Sequence, residues 1–342
     1  MKMKFLLTGH TGFKGTWLSI LLRELGHEVV GLGLRAEAGW LSEQVHLSDL
    51  VQNEFVGDIR NSEFVNRVMM ESEFDVVVHF AAQSLVRESY RNPKYTFETN
   101  VNGTLNILES HSNSDRSAPL LIITTDKVYQ NDGRKRGYVE SDPLGGRDPY
   151  SASKAMADIL TQSWQSSNPS TPIAIARAGN VIGGGDSSKE RLMPDLISSF
   201  SRGEVPMLRF PEAVRPWQHV LDCLSGYLSL LSKLTEAHQS LGAWNIGPNL
   251  ENVKTVRQVT ELVGRKMGAV INWAQAEVDG LPESEFLLLD STKARSELGW
   301  RDLLDFEESI EWTVRWHHDV SAGKAPFDAT IRDIRAYLEL KS

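Results

Sequence analysis

The chain has 342 residues, 41% of them hydrophobic, and its 36 basic and 45 acidic side chains give a formal net charge of −9. That length fills a sizeable core, and the acidic balance argues against a nucleic-acid or anionic-membrane partner. The single cysteine, Cys223, excludes an internal disulfide and fits a reduced, cytoplasmic setting. No apolar run approaches the ~20 residues of a membrane helix, the N-terminus does not read as a signal peptide, and no metal-ligand spacing is present.

Residues 4–8 read as a short apolar strand that runs into Gly9-His10-Thr11-Gly12-Phe13-Lys14-Gly15. An amphipathic helix over 16–25 follows, Gly26 stops it, and residues 28–34 form the next strand. This is a βαβ unit with glycines where a backbone must approach a pyrophosphate at a helix N-terminus. The alternation continues with a strand at 53–56 ending in Gly57-Asp58-Ile59 and a helix over 62–71. A buried strand at 75–80 then runs into Phe80-Ala81-Ala82-Gln83. A long helix is expected over 93–109, a strand at 120–124, a helix over 148–164 and a strand at 173–176. Strands alternating with helices predict an α/β fold with a doubly wound parallel sheet of the Rossmann type. On such a sheet, Gly9, Asp58, Ala81 and Thr125 stand at strand ends and should converge on one crevice.

Beyond about residue 180 the pattern loosens. Gly183-Gly184-Gly185 reads as a flexible turn, 214–220 as a polar-aromatic stretch, and helices are expected near 194–200, 222–233, 255–266, 291–298 and 305–318. Short strands are expected at 243–246 and 287–289. The division is therefore a dinucleotide-binding domain over 1–180 and a smaller, mainly substrate-binding α/β cap over 181–342, with some segments returning to the large domain.

Two stretches carry acid–base chemistry. Asp148-Pro149 reads as a helix N-terminus, an N-cap followed by a proline in the first turn. Tyr150 and Lys154 are four apart and so share a face of that helix. An ammonium near a phenol favours the phenolate, which makes Tyr150 a candidate acid/base. Taken alone, a Tyr and a Lys at this spacing is a common coincidence. The strand at 120–124 ends in Thr125-Asp126-Lys127, a hydroxyl, an acid and an amine at the sheet edge where the crevice should lie.

Together these residues resemble the extended short-chain dehydrogenase/reductases. Thr8-Gly9, Gly12-Phe13, Gly15, Asp58, Ala81-Ala82, Asn100, Thr125, Tyr150 and Lys154 match that group's pattern in its order. Within it, the chain is similar nearly end to end to CDP-glucose 4,6-dehydratases. The stretches that carry this include 9–15, 81–87, 126–129, 142–146, 177–186, 215–220 and 298–300.

The resemblance implies a cofactor, NAD, held by Gly9, Thr11, Gly12, Phe13, Lys14, Gly15, Asp58, Ile59, Phe80, Ala81, Ala82, Gln83, Asn100, Tyr150 and Lys154. It implies redox-neutral dehydration of a nucleotide-diphosphate hexose. Tyr150 takes the 4-hydroxyl proton as hydride leaves C4, Thr125 bonds the same oxygen, and Lys154 holds the ribose and lowers the tyrosine pKa. Asp126 is the candidate acid for the departing 6-hydroxyl and Lys127 the candidate C5 base. Arg87, Asn180, Arg191, Arg215 and His219 are candidate substrate contacts. A homodimer built from the helices at 93–109 and 150–164 is also implied.

Four positions depart from that pattern. The second strand ends in Leu34-Arg35 rather than an acidic ribose ligand, and Arg35 leaves NADP open beside NAD. Ser187 stands where a Trp is usual, Arg147 replaces an aromatic or His, and Leu281-Pro282-Glu283 lacks the usual His. These bear on the sugar and nucleotide more than on the reaction. Two rival readings remain, a nucleotide-sugar 4-epimerase and a non-catalytic cofactor-binding module. The Asp126-Lys127 pair disfavours the first, and the intact Tyr150 and Lys154 disfavour the second.

Overall fold

The computed structural model describes residues 2–114, 117–250, 253–277, 280 and 286–341. Its centre is a seven-stranded, wholly parallel sheet. In chain order its strands are β1 (Lys4–Thr8), β2 (Glu28–Gly33), β3 (Asn53–Val56), β4 (Val76–His79), β5 (Leu120–Thr125) and β6 (Ile173–Ala178). After β7 (Asn180–Ile182), β8 (Met207–Leu208) and β9 (Val214–His219), the chain returns to add β10 (Gly242–Ile246). The spatial order is β10-β6-β5-β4-β1-β2-β3. The first crossovers move to one side of β1 and the later ones to the other, so β1 and β4 flank the point where the order reverses. Ligands bind beside such a reversal, at the carboxyl ends of the strands.

Parallel strands buried on both faces read as continuous apolar runs. The four residues of β4 and the six of β5 are all buried. One face packs the Phe13–Glu24, Val220–Ala237 and Pro326–Lys341 helices through Trp17, Leu18, Leu224, Tyr227 and Tyr337. The other packs the Ser62–Glu71 and Gly103–Asn113 helices through Val65, Val68, Ile107 and Leu108.

A second core, around Ile182, Met193, Leu196, Trp217, Val263 and Ile310, lies beneath a three-stranded sheet of order β11-β9-β7, where β11 is Val253–Thr255. A third pairing joins β8 to β12 (Ala274–Gln275). The stretch expected as a strand at 287–289 forms only isolated bridges, among them Tyr138 to Leu289.

The single long helix expected over 93–109 is interrupted. Pro93–Phe97 is α-helical, Glu98–Asn102 is a π turn, and Gly103–Asn113 continues as α-helix. The Gly183-Gly184-Gly185 turn is tightly packed rather than flexible. A Cβ on Gly184 would sit 2.0 Å from the Trp316 ring, and one on Gly183 would sit 3.2 Å from the Phe13 ring. The Trp17 indole donates to the Gly184 carbonyl at 2.9 Å, which pins the turn to the first helix.

Candidate active site

The glycine loop is built by close backbone contact. Gly9 takes φ +69°, and a Cβ there would lie 2.7 Å from the Ala81 nitrogen; one on Gly15 would lie 2.4 Å from the Gly9 carbonyl. Thr8 ties the same two strand ends together. Its hydroxyl shares a 2.7 Å hydrogen bond with His79 and accepts the Ala81 N–H at 3.2 Å. The helix that starts at Phe13 has no side-chain cap, so its first N–H groups face the crevice free for an anion. A loop without side chains at Gly9, Gly12 and Gly15, backed by an uncapped helix start, fits a dinucleotide pyrophosphate.

The other candidate cofactor residues surround this loop. Thr11 is buried and its hydroxyl donates to the Leu34 carbonyl at the end of β2, where Arg35 is exposed. Asp58, half-buried after β3, is paired with Arg60 at 2.7 Å; burial opposes its ionisation, but the Arg60 hydrogen bonds prevail and hold its carboxyl below the usual range. Ile59 is buried against Gly103. Phe80, Ala81 and Ala82 are half-buried at the end of β4. Asn100, within the π turn, accepts the Gln83 N–H at 2.8 Å, returns a bond to the Gln83 carbonyl, and donates to Ser153 at 2.9 Å. One amide thus ties the β4 loop to the Pro149–Ser167 helix. Lys14 donates to the Tyr227 hydroxyl at 3.2 Å, and burial lowers its pKa, with Arg191 adding to the effect.

The Pro149–Ser167 helix begins as its sequence suggests. Asp148 accepts the Ser151 N–H at 2.9 Å, and Pro149 occupies the first turn. Tyr150 is buried and hydrogen-bonded to Thr125. Thr125 in turn donates to Asp126 Oδ1 at 2.9 Å and accepts the Lys127 N–H at 3.4 Å. Asp126 is 1% exposed, and its Oδ2 has no hydrogen-bond partner. Lys127 is half-buried beside it.

One expectation is not met. Lys154 does not lower the tyrosine pKa in the protein alone: its ammonium donates to the Ile123 carbonyl at 2.8 Å, and burial pushes Tyr150 up to about 12. The cation that opposes this burial is Arg191. Lys154 itself is pushed down to about 8 by burial and by Lys14, while Asp158 acts against the shift.

On the substrate side, Arg191 reaches Ser84 at 3.2 Å and Asp186 at 3.5 Å, and its neighbour Glu190 pairs with Arg91 at 2.7 Å. This segment therefore bridges from the glycine turn to the Val86–Arg91 helix, on which Arg87 is half-buried. Asn180 and Arg215 stand on adjacent strands of the second sheet, where Asn180 pairs with Trp217 and Arg215 with Lys254. Arg215 is buried and donates to the Val214 carbonyl at 2.8 Å. His219 is placed differently from the expected substrate contact. It is fully buried, accepts the Leu221 N–H at a helix start, and packs edge-on against Trp17 and Trp312. Burial pushes its pKa down to about 3, as a core imidazole requires. Ser187 and Arg147 are both exposed, and residues 281–283 lie outside the described residues.

Two further side chains belong to this site, one of them without any sequence signal to mark it. Tyr227, buried on the Val220–Ala237 helix, is hydrogen-bonded to both Lys14 and Cys223 and packs 6.0 Å from Phe80. Cys223 itself packs in the main hydrophobic core. Asp158 had a readable signal, since it continues the Tyr150–Lys154 spacing by another four residues. It binds Arg177 through both carboxylate oxygens, at 2.7 and 2.9 Å.

Comparison with known proteins places the chain among nucleotide-sugar enzymes. Residues 6–313 match the GDP-mannose 4,6 dehydratase family. A CDP-glucose 4,6-dehydratase of Salmonella typhimurium is 39% identical, over 97% of this chain and 95% of its own length. Among solved structures, a dTDP-glucose 4,6-dehydratase from Streptomyces venezuelae with NAD bound superposes with a TM-score of 0.81 at 27% identity, covering 95% of this chain and all of that one. The dTDP-glucose 4,6-dehydratase from Bacillus anthracis in complex with NAD gives a TM-score of 0.80 at 26% identity, over 95% of this chain and 99% of that chain.

Proposed function

Because the chain belongs to the GDP-mannose 4,6-dehydratase family, within the extended short-chain dehydrogenase/reductases, we propose that it converts CDP-glucose to CDP-4-keto-6-deoxyglucose and water. The chain is an NAD-dependent nucleotide-sugar 4,6-dehydratase, a hydro-lyase. CDP-glucose is the finer reading, supported by the near end-to-end similarity to the Salmonella enzyme.

The observation that carries the reaction is the hydrogen-bonded cluster at the ends of β5 and the Tyr150 helix. An oxidation site needs a phenol beside a hydroxyl donor, and Tyr150 and Thr125 supply it. Elimination needs an acid within the same pocket, and Asp126 lies next to Thr125 with one carboxylate oxygen unpartnered. An epimerase needs the first pair and not the acid.

Bound NAD supplies the hydride acceptor for C4 and the hydride donor for C6. Tyr150, as phenolate, takes the 4-hydroxyl proton, and Thr125 donates to the same oxygen. The new ketone acidifies the C5 hydrogen, which Lys127 removes, while Asp126 protonates the departing 6-hydroxyl. Lys154 holds the cofactor ribose. Arg191, the cation that acts on Tyr150, lowers the cost of the phenolate and closes over the sugar diphosphate with Arg215, Asn180 and Arg87.

Residues 1–180 would carry the cofactor and the chemistry, and 181–342 most of the substrate contacts. A homodimer is supported by Met156 and Ile159, exposed at 48% and 52% on the Tyr150 helix, and by Leu105 on the neighbouring helix. No helix is long and apolar enough to cross a membrane among the described residues, and a cytoplasmic location accords with the single, buried cysteine.

The test is incubation with CDP-, dTDP-, GDP- and UDP-hexoses, with product mass and the released cofactor read by mass spectrometry. Loss of one water from CDP-glucose is expected, with NAD released on denaturation. An isomer at unchanged mass would make the chain an epimerase, and a preference for another nucleotide would move the substrate.

A further inference from the structure

We propose that Arg91 and Glu190 are positioning residues: their ion pair ties the cap to the helix that abuts Tyr150, and so holds Arg191 over the crevice to receive the substrate's diphosphate. This rests on the reading above in which Arg191 contacts that diphosphate.

Arg191 is loosely held by its own contacts. Its side chain is 36% exposed, it reaches the Ser84 hydroxyl at 3.2 Å, and its carboxylate partner, Asp186 Oδ2, lies at 3.5 Å. Asp186 is also engaged in its own turn, where Oδ1 accepts the Ser188 N–H at 3.0 Å. A diphosphate can displace long bonds to a hydroxyl and to a shared carboxylate. Such bonds suit a guanidinium that must change partners, but they do not fix where it waits.

The residue before it is held more firmly. Glu190 has φ +60°, a left-handed conformation that a side chain disfavours. A return to negative φ would turn the chain on which Arg191 stands. Burial does not prevent this, since residues 187–189 are exposed or half-buried. Arg91 does. It donates to Glu190 Oε1 at 2.7 Å and to Oε2 at 3.4 Å, a two-point pair, and has Glu88 of its own helix as a further partner at 3.4 Å.

Arg91 ends the Val86–Arg91 helix, and that helix is fixed to the catalytic centre two residues earlier. The buried Ser89 hydroxyl accepts the Tyr150 N–H at 3.0 Å and donates to the Val86 carbonyl at 2.6 Å. A continuous series of contacts thus runs from the Tyr150 backbone through Ser89, the helix end and the Arg91–Glu190 pair to Arg191. The place of the guanidinium relative to the phenol is set by this series rather than by the bonds of Arg191 itself.

The experiment is a double-mutant cycle on kcat/KM, using whichever of the four nucleotide hexoses the wild-type chain dehydrates best, with circular dichroism as the check of folding. The pair is largely exposed, so Arg91→Ala should lower kcat/KM about two- to fivefold, and Arg91→Lys, which keeps the charge, should restore most of the loss. Glu190→Gly accepts the left-handed backbone without strain but lacks the carboxylate, and it should fall as far as Arg91→Ala. Wild-type kcat/KM in Arg91→Ala, or in Glu190→Gly, would overturn the proposal. Arg191→Ala should lose about tenfold or more, the cost of a charge-assisted bond to the diphosphate. In that background Arg91→Ala should change nothing further, because the pair then has no guanidinium to place. A full additional loss there would make the pair merely structural and would also overturn the proposal. Undiminished kcat/KM in Arg191→Ala alone would instead remove the diphosphate contact on which the proposal rests.

Discussion

Replacing Asp158 by Asn should destabilise the fold by about 3–5 kcal/mol, the cost of leaving a buried charge without its counter-ion. Arg177 and Asp158 are 1% and 0% exposed at the side chain. The carboxylate accepts two bonds from the guanidinium, one from Thr124 at 3.0 Å and one from Gln162 at 2.7 Å. An amide keeps the volume but turns an NH2 toward groups that also donate. Arg177 would keep the Tyr129 hydroxyl and the Glu140 carbonyl, at 2.9 and 3.0 Å, which places the expected loss toward the lower end, about 3 kcal/mol. Urea unfolding followed by circular dichroism and by tryptophan fluorescence measures it, with coincidence of the two curves as the condition for converting midpoints to free energy. Replacing both partners, Asp158→Leu with Arg177→Met, should cost less than Asp158→Leu alone, since no charge is then stranded. A loss below about 1 kcal/mol for Asp158→Asn, or a double variant as damaged as the sum of its parts, would refute the reasoning. The same substitution withdraws the carboxylate that raises the Lys154 pKa, now about 8. Lys154 should then lose its charge at lower pH, and the alkaline limb of turnover should shift downward.

Gly15→Ala sets a Cβ 2.4 Å from the Gly9 carbonyl, so NAD affinity measured by calorimetry should collapse; wild-type affinity would mean the loop yields. Lys127→Met should allow C4 oxidation but stop before water is lost, as product analysis would show, and normal dehydration would exclude Lys127 as the base. His79 and His219 are pushed down by burial to about 3, and His317 to about 4, against 6.5 when free. The unfolded chain therefore binds more protons in that interval. The stability these groups contribute is complete above about 6.5 and is lost as pH falls toward 3, so unfolding free energy should decline through this window, and less steeply in His219→Gln. Met156→Glu combined with Ile159→Glu should yield monomers by light scattering; an unchanged mass would place the dimer contact elsewhere.

The sheet was legible because its signals are local. Lys4–Thr8 and Asn53–Val56 have the bounds that their apolar patterns suggest, and the Asp148-Pro149 helix start is a capping rule met side chain by side chain. What stayed hidden depends on distant partners. β9 contains Pro216 and many polar groups, which argue against a strand, yet it pairs on both sides, with Arg215 and Trp217 both buried. The glycine triplet reads as pliant until Trp316 and Leu41 are seen pressed against it. Tyr227 comes from a helix more than two hundred residues after the loop it supports, and nothing in its own neighbourhood announces that. The chemistry of Tyr150 was legible in residue type but not in electrostatics. Its spacing from Lys154 suggests a pair, whereas the ammonium is spent on a strand carbonyl and the acting cation is Arg191.

The π turn at Glu98–Asn102 also says something about how this chain tolerates change. A helix of about 3.6 residues per turn advances about 100° per residue, so one residue added inside a turn rotates everything beyond it by that angle. Upstream, Thr96 meets Gln83; downstream, Asn106 donates to the Ile59 carbonyl and Gly103 fits against the Ile59 side chain. The two ends of the helix are thus phased to different neighbours, and Asn100 stands at the splice between them. Removing any one residue of the turn would restore a regular helix, more comfortable as a helix, in which one of those two phases is lost. Deletions here should be harder to accommodate than substitutions, although the local sequence looks like any exposed helix.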